Sequence, residues 1–233
     1  MKILTIIPAR GGSKGIRLKN LAKINGVPLV AFSIEHSLSS KLINRTIVST
    51  DNEEIAKVSE KYGAEIPIFR SKELAEDDVL DFPVFEHMLT YLKKEENYEP
   101  DIIVHLRPTS PYRKPEWIDS AINLLIKNSS ADSVRSVSEP SQHPYRIFEI
   151  KNKYLHPLMN ERHPEPYLLR RQDLPKMYYY NCVIDVTKPS TIFNKKSMTG
   201  DKMLPYIMNM ENSIDIDTKV DLEFARFFLK DRI

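Results

Sequence analysis

Short apolar runs alternate along this chain with stretches whose apolar residues return at helical spacing, and this alternation narrows the fold more than any other feature. Ile3 to Ile7 is a continuous apolar run closed by Pro8, the pattern of a strand buried on both faces. Leu29 to Leu38 follows at helical spacing. Thr46 to Thr50 reads as a second strand, and Asn52-Glu53-Glu54 opens a helix that Gly63 stops. Ile66 to Phe69 reads as a third strand and Phe82 to Lys94 as an amphipathic helix. Asp101 to Leu106 is a fourth strand closed by Pro108, and Pro115 suits the first turn of a helix running to Lys127. Ser133 to Val137 is a further short strand. Strands alternating with helices build βαβ units, so the expected class is α/β with a mostly parallel, Rossmann-like sheet.

After about Glu139 the rhythm changes. Prolines cluster at positions 140, 144, 157, 164, 166 and 175, and Ile147 to Ile150 can pair with Lys153 to Leu155 across Lys151-Asn152. The segment from about 139 to 175 is too small to fold alone and reads as a lid or a dimerisation arm inserted in one 1–233 domain. The sheet resumes near Val183 to Val186. Ser213 to Asp217 is expected as a late strand or strand end, and Val220 to Leu229 as a terminal helix.

The 34 basic and 32 acidic residues leave a net charge of +2, which gives no general attraction to nucleic acid or to a membrane surface. Local positive clusters are therefore read as sites. One cysteine, Cys182, excludes an intrachain disulfide and a multi-cysteine metal site. The first apolar run is too short for a secretory signal, and no stretch approaches the roughly 20 apolar residues of a membrane span. A cytoplasmic location is expected.

The segment Ile7-Pro8-Ala9-Arg10-Gly11-Gly12-Ser13-Lys14-Gly15, with Lys19-Asn20 close behind, follows the first strand. Glycines let backbone N–H groups approach phosphate oxygens, and Arg10, Lys14 and Lys19 supply compensating charge. The pattern is neither a P-loop nor the dinucleotide fingerprint. A solvated basic loop is the other reading, although a strand-end glycine-lysine loop in an α/β fold lies at the usual ligand edge. Near the other end of the chain, Asp215 and Asp217 stand two residues apart. On a strand they share a face, and two such carboxylates repel unless a cation lies near them. Mg²⁺ suits the pair, because it takes oxygen ligands and keeps water and phosphate oxygens in its other positions. Ordinary surface aspartates, one of them capping the terminal helix, would give the same pattern.

The loop from Ile7 to Gly15 with Lys19-Asn20 resembles the signature of the CMP-sialic acid synthetases, a family of acylneuraminate cytidylyltransferases within the nucleotidyltransferases. Ser213-Ile214-Asp215-Ile216-Asp217-Thr218 is similar to the segment in which that family ends its catalytic unit. The resemblance runs in order along nearly the whole chain. It implies that Arg10, Ser13, Lys14, Lys19 and Asn20 bind CTP, that Arg70 reads the cytosine, and that Asp215 and Asp217 hold Mg²⁺ or Mn²⁺. Leu106-Arg107-Pro108-Thr109-Ser110-Pro111-Tyr112-Arg113 resembles the sugar side of the family's site, which implicates Arg107, Thr109 and Ser110. The family has glutamine where this chain has Arg107. It also implies that Arg146, Arg171 and Gln172 approach the sugar from a neighbouring subunit of a homodimer, and that Asn181 contacts it. After Asn181 the family runs Gly-Ala-Ile-Tyr, whereas this chain runs Cys182-Val183-Ile184-Asp185. These departures leave open which acidic nine-carbon sugar is used.

The implied reaction is attack of the sugar's anomeric hydroxyl on the α-phosphorus of CTP, with pyrophosphate leaving and catalysis resting on positioning and charge neutralisation. Arg10, Lys14 and Lys19 steady the triphosphate, and metal-assisted deprotonation is preferred because no protein base is evident. A GT-A-type glycosyltransferase would share an α/β nucleotide domain, but its acidic motif normally lies mid-chain. A catalytically inactive CTP-binding regulator is the other alternative. His36 and His87 are read as packing or surface residues, and Cys182 as a packing residue.

Overall fold

The computed structural model describes residues 1–230. The chain begins with β1 (Ile3–Pro8), whose Ile3 and Ile7 face one side of the sheet while Leu4 and Ile6 face the other. A small hairpin of β2 (Lys23–Ile24) and β3 (Val27–Pro28) leads into α1 (Leu29–Leu38). β4 (Arg45–Ser49) pairs parallel to β1, and α2 (Glu53–Lys61) follows. The Asn52 side chain accepts from the N–H groups of Glu54 and Ile55, satisfying two of that helix's free donors. Gly63, at φ +93°, ends this unit as expected.

After α3 (Asp81–Glu96), β5 (Ile102–His105) pairs parallel to the other edge of β1. Next come α4 (Pro115–Lys127) and β6 (Ser133–Ser138). β7 (Phe148–Lys151) and β8 (Tyr154–Pro157) form a two-stranded hairpin of their own. β9 (Tyr179–Thr187) runs antiparallel between β5 and β6, α5 (Pro189–Lys195) follows, and β10 (Met203–Ile207) adds parallel to β6. The terminal helix is α6 (Lys219–Phe228), opened by a reciprocal cap between Thr218 and Asp221. Strand order is β10-β6-β9-β5-β1-β4, so the sheet is parallel except for β9. One face packs on α1, α2 and α4 and the other on α3 and α5, while α6 closes a third apolar cluster with α1 and β2.

Three local expectations change. Ile66 to Phe69 forms no strand: Glu65 makes a single bridge to Ile47 and Arg70 N–H donates to Thr50 O at 2.8 Å, but Pro67 between them has no donor to continue a ladder. Ser213 to Asp217 is not a strand either; the late strand is β10, which ends at Ile207. The alternation survives nonetheless, with Ile214 and Ile216 buried and Asp215 and Asp217 exposed. The arm hairpin turns at Asn152-Lys153, one residue later than expected, with φ +51° and +70°. Two positive φ values match the right-handed twist of the flanking strands.

Candidate active site

β1, β4 and β5 end on the same side of the sheet, and the segments leaving them enclose one cleft. Pro8, Arg10, Gly12 and Ser13 come from the loop after β1, Lys19 and Asn20 from the turn that follows, Arg70 from the segment after α2, and Arg107 and Thr109 from the loop after β5. This is the edge where α/β sheets hold ligands.

The loop after β1 is braced from within. Asn20 is buried and donates to Arg10 O at 2.8 Å, and Gly11 N–H donates to Asp51 Oδ1 at 2.8 Å. Its cations are already engaged by the acidic segment before α3. Arg10 contacts Asp77 at 2.7 Å and donates to Ala75 O at 3.1 Å, and Lys14 reaches the other oxygen of Asp77 at 2.9 Å. Lys14 stands at the rim, its side chain 81% exposed, rather than on the wall. Arg70 is buried and donates to Ser49 O at 2.8 Å; burial pushes its guanidinium below its ordinary value.

The carboxylate pair joins this loop across almost the full chain. Lys19 Nζ donates to Ile216 O at 2.9 Å and to Asp217 Oδ1 at 3.1 Å. Gly15 lies so close to this segment that a Cβ there would stand 2.3 Å from Asp217 O. The 215–218 stretch is held from both sides: Ile216 N–H donates to Thr109 O at 2.9 Å, and Asp221 accepts from the N–H groups of Asp217 and Thr218 at 3.1 and 2.7 Å. Asp221 and Thr218 thus do the capping, which leaves both expected carboxylates turned outward. Partial loss of water pushes the Asp215 carboxyl up, and the like charge of Asp217 adds to the rise, while Thr109 and Lys19 oppose it. Two neighbouring carboxylates, one of them with its proton affinity raised, fit a hard divalent cation with oxygen ligands. Among the described residues no group of three or more His, Cys, Asp or Glu side chains is placed to hold a metal, so such an ion would take its remaining ligands from water and substrate.

Behind Arg107 lies a charged cluster that sequence reasoning left unassembled. Arg107 Nη1 donates to Asp185 Oδ2 and to the Tyr180 hydroxyl, each at 2.6 Å, and Nη2 donates to Asp81 Oδ2 at 2.8 Å. Arg135 also pairs with Asp185 and donates to Tyr180 at 2.8 Å. Arg113, buried beneath, donates to Val183 O at 2.6 Å and to Ser33 Oγ at 3.0 Å. His105 is 2% exposed with both ring nitrogens unbonded, and burial pushes it well below its ordinary value.

The remaining expected residues lie elsewhere. Ser110 is fully buried and donates to Cys182 O at 3.3 Å, so it supports the loop from below. Asn181 is also buried: its amide donates to Ser138 Oγ at 2.8 Å and accepts from Ser136 Oγ at 2.6 Å. Arg146, Arg171 and Gln172 come together around a different depression on the 139–177 segment, away from the cleft of their own chain.

A basic, glycine-lined cleft at the carboxyl edge of a parallel sheet, with an acidic pair against its lysine, defines a nucleotide-handling α/β protein. Comparison with known proteins gives the finer assignment. Residues 4–201 match a family described as cytidylyltransferase. The chain is 35% identical over 95% of its length to a CMP-N,N'-diacetyllegionaminic acid synthase of Legionella pneumophila, covering 93% of that protein. It is 32% identical over 99% of its length to a pseudaminic acid cytidylyltransferase of Campylobacter jejuni, covering 97% of that protein. A solved CMP:2-keto-3-deoxy-manno-octonic acid synthetase superposes over the whole of both chains with a TM-score of 0.75 at 14% identity, a likeness of fold. The chain belongs to the cytidylyltransferase family.

Proposed function

We propose that the protein transfers CMP from CTP to a sialic-acid-like nonulosonic acid, releasing pyrophosphate. The observation that carries this reading is the clasp between Lys19 and Asp217, which sets the phosphate-type loop against the acidic pair at the end of one cleft. The names of the relatives favour this sugar class: one is a CMP-N,N'-diacetyllegionaminic acid synthase and one a pseudaminic acid cytidylyltransferase.

In this reading Arg10, Lys14 and Lys19 neutralise the triphosphate, and Ser13 and backbone N–H groups orient it. Arg70 and Asn20 line the same cleft and complete the CTP site. When bound to Asp215 and Asp217, Mg²⁺ or Mn²⁺ would supply further charge neutralisation at the phosphates and a more acidic attacking hydroxyl. Lys19 holds Asp217, and Asp221 holds the backbone beneath it, so the pair is set before substrate arrives. The sugar would meet Arg107 and Thr109 at the other end of the cleft.

The whole chain acts as one catalytic unit whose 139–175 segment is a dimerisation arm. Ile150, Tyr154, Leu155 and Leu168 of that segment are each at least 65% exposed, an apolar surface that a second copy would cover. Arg146, Arg171 and Gln172 would then complete the partner's sugar site. No helix among the described residues is long and apolar enough to cross a membrane.

The test is pyrophosphate release from CTP and Mg²⁺ against a panel of nonulosonic acids, with Asp215→Asn as the control. Release with one sugar, abolished in the variant while its melting temperature holds, is the expected result. Release of a nucleoside diphosphate instead would mean glycosyl transfer, and CTP binding without turnover would mean a regulator. Full activity in a dilute, monomeric sample would overturn the shared site.

A further inference from the structure

The cations that the proposed reading gives to the triphosphate are already paired within the chain. Arg10 and Lys14 share Asp77 at 2.7 and 2.9 Å, and Lys19 pairs with Asp217 at 3.1 Å. The two arrangements differ in what the carboxylate is for. Asp77 has no other part in that reading, whereas Asp217 is one of the two carboxylates that would hold the divalent cation. One carboxylate thus has two claimants, the ammonium of Lys19 and a metal ion.

The geometry says which partner yields. The Lys19 side chain is walled in, with 16% of it exposed, and its Nζ is pinned by a second bond, to Ile216 O at 2.9 Å. That bond holds the ammonium in the cleft wall without help from Asp217. The Asp217 side chain is 74% exposed, and its backbone is held separately, its N–H donating to Asp221 at 3.1 Å. The carboxylate can therefore change partner while the backbone of the pair keeps its place. Asp215 is bonded instead by the hydroxyl of Thr109, which carries no charge.

We propose that Lys19 is the resting counter-ion of the acidic pair and that a divalent cation replaces it at Asp217, so that metal and triphosphate each clear the way for the other. While the ammonium neutralises Asp217 it also repels a second cation, and the pair alone binds metal weakly. An ammonium has three donors and no acceptor. A triphosphate that draws on those donors loosens the hold of Lys19 on Asp217 and leaves the carboxylate to the cation. A cation on Asp217 in turn leaves Lys19 to phosphate oxygen. Linkage makes the two effects equal in size, because each ligand changes the other's affinity by the same factor. The identity of the anion rests on the cytidylyl-transfer reading.

The experiment has two halves, each with one ligand alone. Mn²⁺ binding to the nucleotide-free protein is read from the loss of the free ion's electron-spin resonance signal, with melting temperatures to show that each variant is folded. Lys19→Met should bind Mn²⁺ about fivefold more tightly than wild type, the equivalent of one exposed ion pair removed from competition. Lys19→Arg should bind it as weakly as wild type. Asp215→Asn added to Lys19→Met should cancel the gain, and Lys23→Met, which removes an exposed lysine from β2, should give none. CTP binding in excess chelator is then titrated by calorimetry. Asp217→Asn should bind CTP about two- to fivefold more tightly than wild type, because Lys19 is released. This half changes nothing at Lys19, so it stands even if Lys19→Met fails to fold. A clasp that only shapes the loop predicts the reverse, weaker CTP binding in Asp217→Asn, and that result would overturn the exchange. So would equal Mn²⁺ affinity in wild type and Lys19→Met, or an equal gain in Lys23→Met. In each of these cases pyrophosphate release with a sugar would leave cytidylyl transfer standing, whereas a wild type that binds neither Mn²⁺ nor CTP would bring both readings down.

Discussion

Asp77 holds Arg10 and Lys14, two of the cations that the proposed reading assigns to the triphosphate. Its carboxylate sits between Arg10 and Lys14 at 2.7 and 2.9 Å, and that contact keeps it below the usual carboxylate range, Lys14 being the larger cause. An incoming anion must displace it. Asp77→Asn should therefore tighten CTP binding at low salt by about two- to fivefold, the equivalent of one exposed ion pair, and calorimetric titration at two ionic strengths checks this. Weaker binding would make Asp77 part of the site instead of a competitor for it. Gly15 is constrained for a different reason. A methyl group there would meet Asp217 O, so Gly15→Ala must push the loop and the acidic pair apart. A displacement of about 1 Å in a positioned site can cost about a hundredfold in rate, and steady-state assays should find a loss of that order with the fold intact. At this scale the sequence was legible where residue types cluster, as in the loop from Arg10 to Lys19. Asp77, Asp81 and Asp185 carry no local motif, and only the fold brings each to its cation.

The strands that meet the site were legible because they are buried on both faces and read as apolar runs, as Ile3 to Ile7 and Ile102 to Val104 do. The elements at the sheet's far edge were not. β10 carries Pro205 and alternates exposed with half-buried residues, and α5 is a short helix of seven residues, so neither stands out from a loop. Asp132 ties this edge together: its Oδ2 accepts from Lys195 Nζ at 2.8 Å and from the N–H groups of Asp201 and Lys202 at 2.9 and 3.0 Å. These bonds, that from Lys195 first, hold its carboxyl at about 2 against an ordinary 3.8. The unfolded chain takes up this proton at higher pH than the native one does. The contribution of Asp132 is therefore complete above an unfolded value near 3.8 and is lost as pH falls through about 2. Asp132→Asn should be less stable than wild type at neutral pH, and the gap should close across that window in acid-denaturation curves.

Over the whole molecule, acid acts first through buried histidine. His105 is sealed beneath Phe85 and three arginines and stays neutral in the fold, while the unfolded chain protonates near 6.5. A base whose folded value is depressed costs stability as pH drops below the unfolded one. Unfolding free energy should thus fall below about pH 6.5 by about 1.4 kcal/mol per pH unit for this group. His105→Leu should flatten the slope between neutral and mildly acid pH in denaturant titrations, and an unchanged slope would place the effect elsewhere. The α/β class and the mostly parallel sheet could be read from the alternation of runs and helices. The antiparallel course of β9 could not, because an apolar run carries no sign of its direction.

The contact between Gly15, Lys19 and the Asp217 segment spans almost two hundred residues, and it has a consequence for how the protein is made. The glycine-lysine loop leaves the ribosome well before its acidic counterpart, from which 198 residues separate Lys19. Until Asp217 has emerged, the nascent chain holds one side of this contact without the other. On the reading proposed above, a chain halted before Asp215 carries the loop without its acidic pair and is an inert fragment, not a partly active enzyme.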